Sequence, residues 1–178
     1  NNPWTPLFAA DPEQSINYLT AHDNLTLMDK ITKMNAGGEY AKRLQSYGNG
    51  IILVSQGIPF IHAGAEFGRS KNMDHNSYKT AGDINNIKWG LKKSNNDIFK
   101  YYQGMIAMRK AHPAFRFTTK RDIEANVKTS GYSGAVVVDI NGAAAGDSWK
   151  QIKLVINSGN NLTIGGVDGW KKKVNGVT

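Results

Sequence analysis

The stretch Ile16-Asn17-Tyr18-Leu19-Thr20-Ala21-His22-Asp23-Asn24 decides how the chain is interpreted. Its mostly apolar first half is typical of a short β-strand, and its polar second half is typical of a loop. A second strand-like run, Pro59 to Ala63, also leads into a polar loop rather than into a hairpin. Because helical patterns follow both runs, the order of strand, helix, strand, loop and helix predicts parallel βα units.

Two helices are predicted from apolar periodicity. The first pattern consists of Tyr40, Leu44, Tyr47, Ile51 and Val54. Intervals of three and four residues place these side chains on one face of a helix. The second helix is predicted from Asp97 or Ile98 to Ala111, and Pro113 then stops it. Its buried stripe is predicted to be Ile98, Tyr102, Met105 and Met108 or Arg109.

The end of the chain differs from the rest. Residues 119–178 contain no histidine, and short apolar runs alternate there with Gly and Asn. Such runs predict strands at 134–140, 151–157, 162–164 and 170–174, with Trp149 and Trp170 in their core. We therefore predict an α/β domain over residues 1–118 and an all-β domain over residues 119–178.

Composition limits the classes of function. The chain has 178 residues, 40% of them hydrophobic, which is enough for a folded core. It has no run of eighteen apolar residues, so we do not expect membrane insertion. It has no cysteine, which excludes disulfides and a cysteine nucleophile. The net charge is +8, but only Lys171-Lys172-Lys173 forms a run, so we do not expect nucleic-acid binding.

His22, Asp23 and Asn24 are the strongest candidates for chemistry. They follow a predicted strand, and parallel βα folds bind ligands at the edge where their strands end. Taken alone, the pair of His22 and Asp23 is also compatible with a turn device in which the carboxylate accepts hydrogen bonds from backbone N–H groups.

Further segments of the sequence, taken together with these residues, resemble a known family. Together they resemble the pullulanase branch of the alpha-amylase superfamily of glycoside hydrolases. The segments are INYLTAHDNLTLMDKI (16–31), SQGIPFIHAGAEFGRSK (55–71), DHNSYKT (74–80), YYQGMIAMRKAHPAF (101–115), GDSWKQIKLVINSGN (146–160) and GWKKKVNG (169–176). They stand in the family's order at about its spacing, so the resemblance covers nearly the whole chain from Ile16 onward.

The resemblance implies a fold. Enzymes of this family act on a TIM (β/α)8 barrel, and this chain would supply its last two βα units. The runs at 16–20 and 59–63 would be the seventh and eighth strands, and residues 119–178 would form the antiparallel β-sandwich that follows the barrel. The remainder of that barrel would then be a structural partner of the chain.

The resemblance also implies roles for particular residues. Asp23 would be the carboxylate that stabilises the transition state, and His22 would hydrogen-bond sugar hydroxyls beside it. Asp83 and Asn86 would bind glucose hydroxyls in more distant subsites, and Asn76, in the loop over the barrel rim, would also contribute to substrate binding. The family takes its nucleophile and general acid from the fourth and fifth strands, which lie outside this sequence. The chain alone is therefore expected to be inactive.

Two other residues invite a catalytic interpretation that we do not favour. Glu66 follows the second strand and is expected to order its loop, in which Ala65 stands where the family usually has glutamine. His62 lies inside an apolar run and is expected to be a hydrogen-bonded core histidine.

The sequence thus predicts part of a retaining glycoside hydrolase that cleaves α-1,6-glucosidic linkages in pullulan or branched α-glucans. Alternatives are a non-catalytic carbohydrate-binding or structural module, and a related amylase acting on α-1,4 bonds. No cofactor or metal cluster is expected, although the resemblance leaves a calcium site open. No signal peptide is visible; the compartment is unknown, and we favour a secreted or cell-envelope bacterial enzyme over a cytoplasmic one.

Overall fold

The computed structural model describes residues 9–158 and 161–174. These residues divide into two units. One unit comprises residues 16–55 and 59–108, and the other comprises 9–15, 56–58, 109–158 and 161–174. The predicted domains 1–118 and 119–178 stay a prediction.

The unit of residues 16–55 and 59–108 begins with the predicted strand–helix order. Its elements are β1 (Ile16–Asn17), α1 (Leu27–Lys33), α2 (Gly38–Val54), β2 (Ile58–Pro59), α3 (Gly90–Ser94) and α4 (Asn96–Ala111). Ile58 of β2 and the last residues of α4, from Arg109 onward, belong to the other unit. Short 3-10 helices occupy Ala65–Phe67, Ser77–Lys79 and Asp83–Asn85.

Strands β1 and β2 pair with each other. The Ile58 N–H donates to the Ser15 carbonyl at 2.8 Å, and the Phe60 N–H donates to the Asn17 carbonyl at 2.9 Å. Both partners advance by two residues in the same direction, so the pairing is parallel. Each strand is only two residues long, which is shorter than the predicted runs at 16–20 and 59–63.

Helix α4 confirms the second helical prediction. Ile98, Tyr102 and Met105 of the predicted stripe are buried, with exposed fractions between 2% and 4%. Of the two alternatives for its last position, Arg109 is buried and Met108 is half-buried. The helix ends at Ala111, and Pro113 starts a 3-10 helix, Pro113–Phe115. The apolar period therefore located both the helix and its buried face.

Helix α2 is present as predicted, but its buried face is not the predicted stripe. Tyr40 is exposed, whereas Gln45, Ser46 and Asn49 are buried. Two of these side chains donate to partners outside the helix: Gln45 Nε2 donates to the Ala65 carbonyl, and Asn49 Nδ2 donates to the Tyr102 hydroxyl. Polar groups with hydrogen-bond partners can thus occupy a face that periodicity assigns to apolar residues.

The other unit contains helix α5 (Lys120–Asn126) and strands β3 (Val127–Tyr132), β4 (Ala135–Ile140) and β5 (Ile152–Asn157). Further 3-10 helices span Pro12–Gln14 and Gly142–Ala145. The three strands form one antiparallel sheet in the order β3-β4-β5. Its register places Ile140 opposite both Val127 and Ile152.

This sheet confirms part of the prediction for the end of the chain. The strands near 134–140 and 151–157 are present, whereas strand β3 was not predicted. The strands predicted at 162–164 and 170–174 are wrong, because those residues carry no regular structure. Trp170 is 42% exposed and therefore is not a core residue. Helices and a small antiparallel sheet are observed, while the complete barrel and the sandwich stay predictions.

No helix among the residues that the structure describes is both long enough and apolar enough to cross a membrane.

Candidate active site

The segment that follows β1 presents two polar side chains to solvent. Thr20 is buried at 6% exposure, and the chain then emerges at His22 and Asp23, whose side chains are 85% and 77% exposed. His22 Nε2 lies 3.6 Å from Asp23 Oδ1. Asn24 takes a left-handed backbone conformation with φ of 58°, which asparagine tolerates better than most residues. Both side chains are therefore free to face a ligand.

The start of α1 fixes the end of this segment. The Thr26 hydroxyl accepts from the Asp29 N–H at 3.1 Å, and the Asp29 carboxylate accepts from the Thr26 N–H at 3.2 Å. This reciprocal capping box satisfies two N–H groups at the beginning of the helix. The first residues after the exposed segment are thus held in one conformation.

The loop after β2 is organised around Arg69, a buried cation. Its Nη1 donates to the Ala63 carbonyl at 3.1 Å and lies 3.3 Å from His62 Nε2, while its Nη2 donates to the Asn85 carbonyl at 2.6 Å. Gly64, with φ of 92°, leaves room for the Arg69 side chain, because a Cβ there would collide with it. Arg69 therefore links His62 to the 3-10 helix Asp83–Asn85.

His62 is half-buried in this loop. Burial lowers the pKa of its imidazole, and the positive charges of Arg69, Lys71 and His22 lower that pKa further. A neutral His62 can accept the hydrogen bond that the Arg69 guanidinium offers. The contact with Arg69 fits the expectation of a hydrogen-bonded core histidine, although His62 is half-buried rather than in the core.

Glu66 has a local partner. Its Oε2 accepts from the Gly64 N–H at 2.9 Å at the start of the 3-10 helix Ala65–Phe67. That contact orders the loop, as expected from the sequence.

The three remaining predicted binding residues lie at exposed positions. Asn86 Nδ2 donates to Asp83 Oδ1 at 2.8 Å, so the structure brings these two side chains together. Asn76 precedes the 3-10 helix Ser77–Lys79, and its N–H donates to Asp74 Oδ1 at 2.8 Å. Among the described residues, no hydrogen bond or ion pair joins these side chains to His22 or Asp23. Their roles stay predictions.

Sequence reasoning missed Asp29 and Lys71, two buried charged residues behind the exposed pair. Lys71 Nζ donates to the His22 carbonyl at 2.8 Å, and the Lys71 N–H donates to Asp29 Oδ2 at 3.0 Å. The sequence separation is 49 residues for the first bond and 42 for the second, so no local pattern could have revealed them.

A metal centre is not apparent in the described ranges: no three His, Asp or Glu side chains there are grouped so that they could hold an ion.

Comparison with known proteins identifies relatives of this chain. No protein-family model matches it. It is 39% identical over 120 residues to a pullulanase of Bacillus subtilis, an alignment covering 66% of this chain and 17% of that protein. The chain therefore spans about a sixth of that relative's length.

Solved structures agree with the sequence relatives. The apo pullulanase of Paenibacillus barengoltzii superposes with a TM-score of 0.88 at 35% identity, over 95% of this chain and 27% of that one. A pullulanase from the same organism, solved in complex with maltohexaose and α-cyclodextrin, gives 0.80 at 38% identity over 84% and 24%. The chain belongs with the pullulanases of the alpha-amylase family and corresponds to their C-terminal region.

Proposed function

We propose that the chain contributes the end of the catalytic barrel to a retaining glycoside hydrolase that cleaves α-1,6-glucosidic linkages in pullulan or branched α-glucans. The observation that carries this proposal is the 77% exposed carboxylate of Asp23, directly after β1, in a chain related to pullulanases. A carboxylate used only as a turn device would accept backbone hydrogen bonds, and Asp23 has none among the described residues.

The chemistry needs a fixed anion at this place. Glycoside hydrolysis passes through a transition state in which the sugar carbon gains positive charge, resembling an oxocarbenium ion. A carboxylate that is held beside this carbon stabilises the transition state more than the neutral ground state, and so increases kcat. We assign this role to Asp23. His22, 3.6 Å from it, would donate a hydrogen bond to a sugar hydroxyl and orient the ring.

Two further carboxyl groups complete a retaining mechanism. One is a nucleophile that forms a covalent glycosyl-enzyme intermediate, and the other is a general acid that protonates the leaving oxygen; the two stand about 5 Å apart. We propose that both belong to parts of the enzyme outside these 178 residues, and that the chain is inactive without them. This mechanism needs no cofactor.

The proposed substrate is an α-glucan. One structural neighbour is solved with maltohexaose and α-cyclodextrin, which supports an oligosaccharide of glucose as the ligand class. Asp83 and Asn86, joined by their side-chain hydrogen bond, would bind hydroxyls in a subsite away from the cleaved bond, with Asn76 on the neighbouring loop. Secretion or attachment to a bacterial cell envelope is part of the same proposal.

The test is pullulan hydrolysis by the full-length protein that carries this chain, with Asp23→Asn. This change keeps the shape of the side chain and removes its charge. We expect kcat to fall at least 10²- to 10³-fold, about 3–4 kcal/mol in the barrier, as when a single preorganised electrostatic group is lost.

The matched control is Asp97→Asn, another exposed aspartate, whose Oδ2 lies 3.7 Å from Lys42 Nζ. It should keep full activity. Near wild-type hydrolysis by the Asp23→Asn protein would contradict the role given to Asp23. The ratio of activities on pullulan and on soluble starch distinguishes an α-1,6-acting enzyme from an α-1,4-acting one.

A further inference from the structure

The exposed segment that carries His22 and Asp23 has one anchor from a distant part of the chain. Within the described ranges, the bond from Lys71 Nζ to the His22 carbonyl, at 2.8 Å, is the single hydrogen bond that reaches residues 20–25 from outside them. The Lys71 ammonium group therefore holds the peptide group between His22 and Asp23 by a hydrogen bond to its carbonyl oxygen.

Lys71 is suited to hold that peptide because it is itself buried. Its exposed fraction is 1%. Burying an ammonium group is costly unless it finds a hydrogen-bond acceptor, so its geometry is determined by the acceptor that it meets. Movement of the His22 carbonyl would leave the Lys71 ammonium without its acceptor.

Asp29 fixes Lys71 in turn. Its buried carboxylate accepts from the Lys71 N–H at 3.0 Å, from the Ser70 hydroxyl, and from the Thr26 N–H at 3.2 Å. Burial on its own would raise the pKa of Asp29, but the hydrogen bonds from Ser70, Lys71 and Thr26 outweigh burial and lower that pKa. Asp29 thus remains an anion that joins the loop after β2 to the start of α1.

We propose that Lys71 is a positioning residue that sets the place of the Asp23 carboxylate by holding the His22 carbonyl, with Asp29 holding Lys71. This inference rests on the proposed function of Asp23. The loop after β2, through Lys71, would thus support the catalytic role proposed for Asp23 in the loop after β1. Lys71 acts through the backbone of His22 and needs no contact with the sugar.

The expected effect follows from the geometry. A displacement of about 1 Å of a catalytic group can cost on the order of 10²-fold in rate. Replacing Lys71 by methionine keeps an unbranched side chain of similar length and removes the donor. We expect Lys71→Met to lower kcat on pullulan about 10- to 100-fold and to leave KM within about threefold, because binding in distant subsites is retained. Lys71→Arg, which keeps a cationic N–H donor, should recover part of the lost rate.

A double-mutant cycle separates positioning from a general structural role. In the full-length Asp23→Asn protein, Lys71→Met should reduce the remaining activity by no more than about threefold, since the carboxylate that Lys71 positions is gone. Lys88→Met, at an exposed lysine, is the control and should leave kcat unchanged. Ser70→Ala is a milder second variant that removes one hydrogen bond to Asp29, and it should lower kcat in the same direction if Lys71→Met does not fold.

The outcomes distinguish the two proposals. An equal loss from Lys71→Met in both backgrounds, a change confined to KM, or unchanged kcat in the Lys71→Met and Ser70→Ala proteins would overturn the positioning role while Asp23 keeps its own. Full activity of Asp23→Asn would instead overturn the proposed function. Loss of kcat that depends on Asp23 supports both.

Discussion

Within residues 9–158 and 161–174, two histidine side chains lie within 4 Å of an aspartate carboxylate, in opposite environments. His22 and Asp23 are adjacent in sequence, 85% and 77% exposed, and 3.6 Å apart. His112 and Asp147 are distant in sequence, 10% and 0% exposed, with Nδ1 and Oδ1 at 2.7 Å. The same two residue types thus form one loose surface pair and one buried hydrogen bond.

The buried pair makes several further contacts inside the protein. Asp147 also accepts from the Ala114 N–H at 3.1 Å and the Trp149 N–H at 2.8 Å. The His112 ring stacks on Trp149, with centroids 3.5 Å apart. Such a pair has little left to offer a ligand and contributes to stability. The side chains of the surface pair make no comparable contacts with other residues in the part of the chain that the structure describes, which is the basis of the binding role proposed for them.

Removing each carboxylate in turn should give the largest difference between the two pairs. Asp147→Ala leaves a buried histidine and two N–H groups without their acceptor, and we expect the free energy of unfolding to fall by about 3–5 kcal/mol. Asp23→Ala is the matched control, and it should change that free energy by less than about 0.5 kcal/mol. Thermal and denaturant unfolding followed by circular dichroism measure both. Similar effects from the two variants would contradict the contrast.

Acid tests the same buried carboxylate without mutation. Burial alone would raise the pKa of Asp147, but hydrogen bonds from His112, Trp149 and Ala114 prevail and lower it. A lowered pKa means that the carboxylate stabilises the fold above the ordinary aspartate pKa of about 3.9, and that this contribution is lost as pH falls through the lowered value. Unfolding measured from pH 6 downward should show this decline. In the Asp147→Ala protein the decline should be shallower; equal slopes would contradict the role of Asp147.

A smaller effect is expected beside the buried pair, at Gly142. A Cβ at this position would collide with the carbonyl oxygen of Trp149, a backbone atom that cannot simply rotate away. Gly142→Ala should therefore destabilise the fold by about 1–3 kcal/mol. Gly131→Ala is the control, because a Cβ there meets no atom within 4 Å. Equal melting temperatures for the two variants would show that the Trp149 backbone is not fixed.

Helices were predictable where local periodicity decides burial. Helix α4 buries Ile98, Tyr102 and Met105, because its apolar residues recur at helical spacing. Helix α2 buries Gln45 and Asn49 instead of Tyr40, because their partners come from the loop after β2 and from α4. Those partners are distant in sequence, so no helical pattern reveals them.

The candidate site shows the same division. His22 and Asp23 were predicted as site residues because a strand-like run places them at its end and because the surrounding motif resembles a family. Lys71 was missed because its bond to the His22 carbonyl spans 49 residues. His112 was missed as a partner of Asp147 for the same reason, since 35 residues separate them. Residue type alone does not tell a surface pair from a buried one; the tertiary environment does.

The most direct measurement is a structure of the full-length protein with a bound maltooligosaccharide. We predict a glucose ring with hydroxyls in hydrogen-bond range of His22 and with its anomeric carbon beside the Asp23 carboxylate. A sugar bound elsewhere, with Asp23 in contact only with protein groups, would contradict the central claim that the exposed pair serves the substrate.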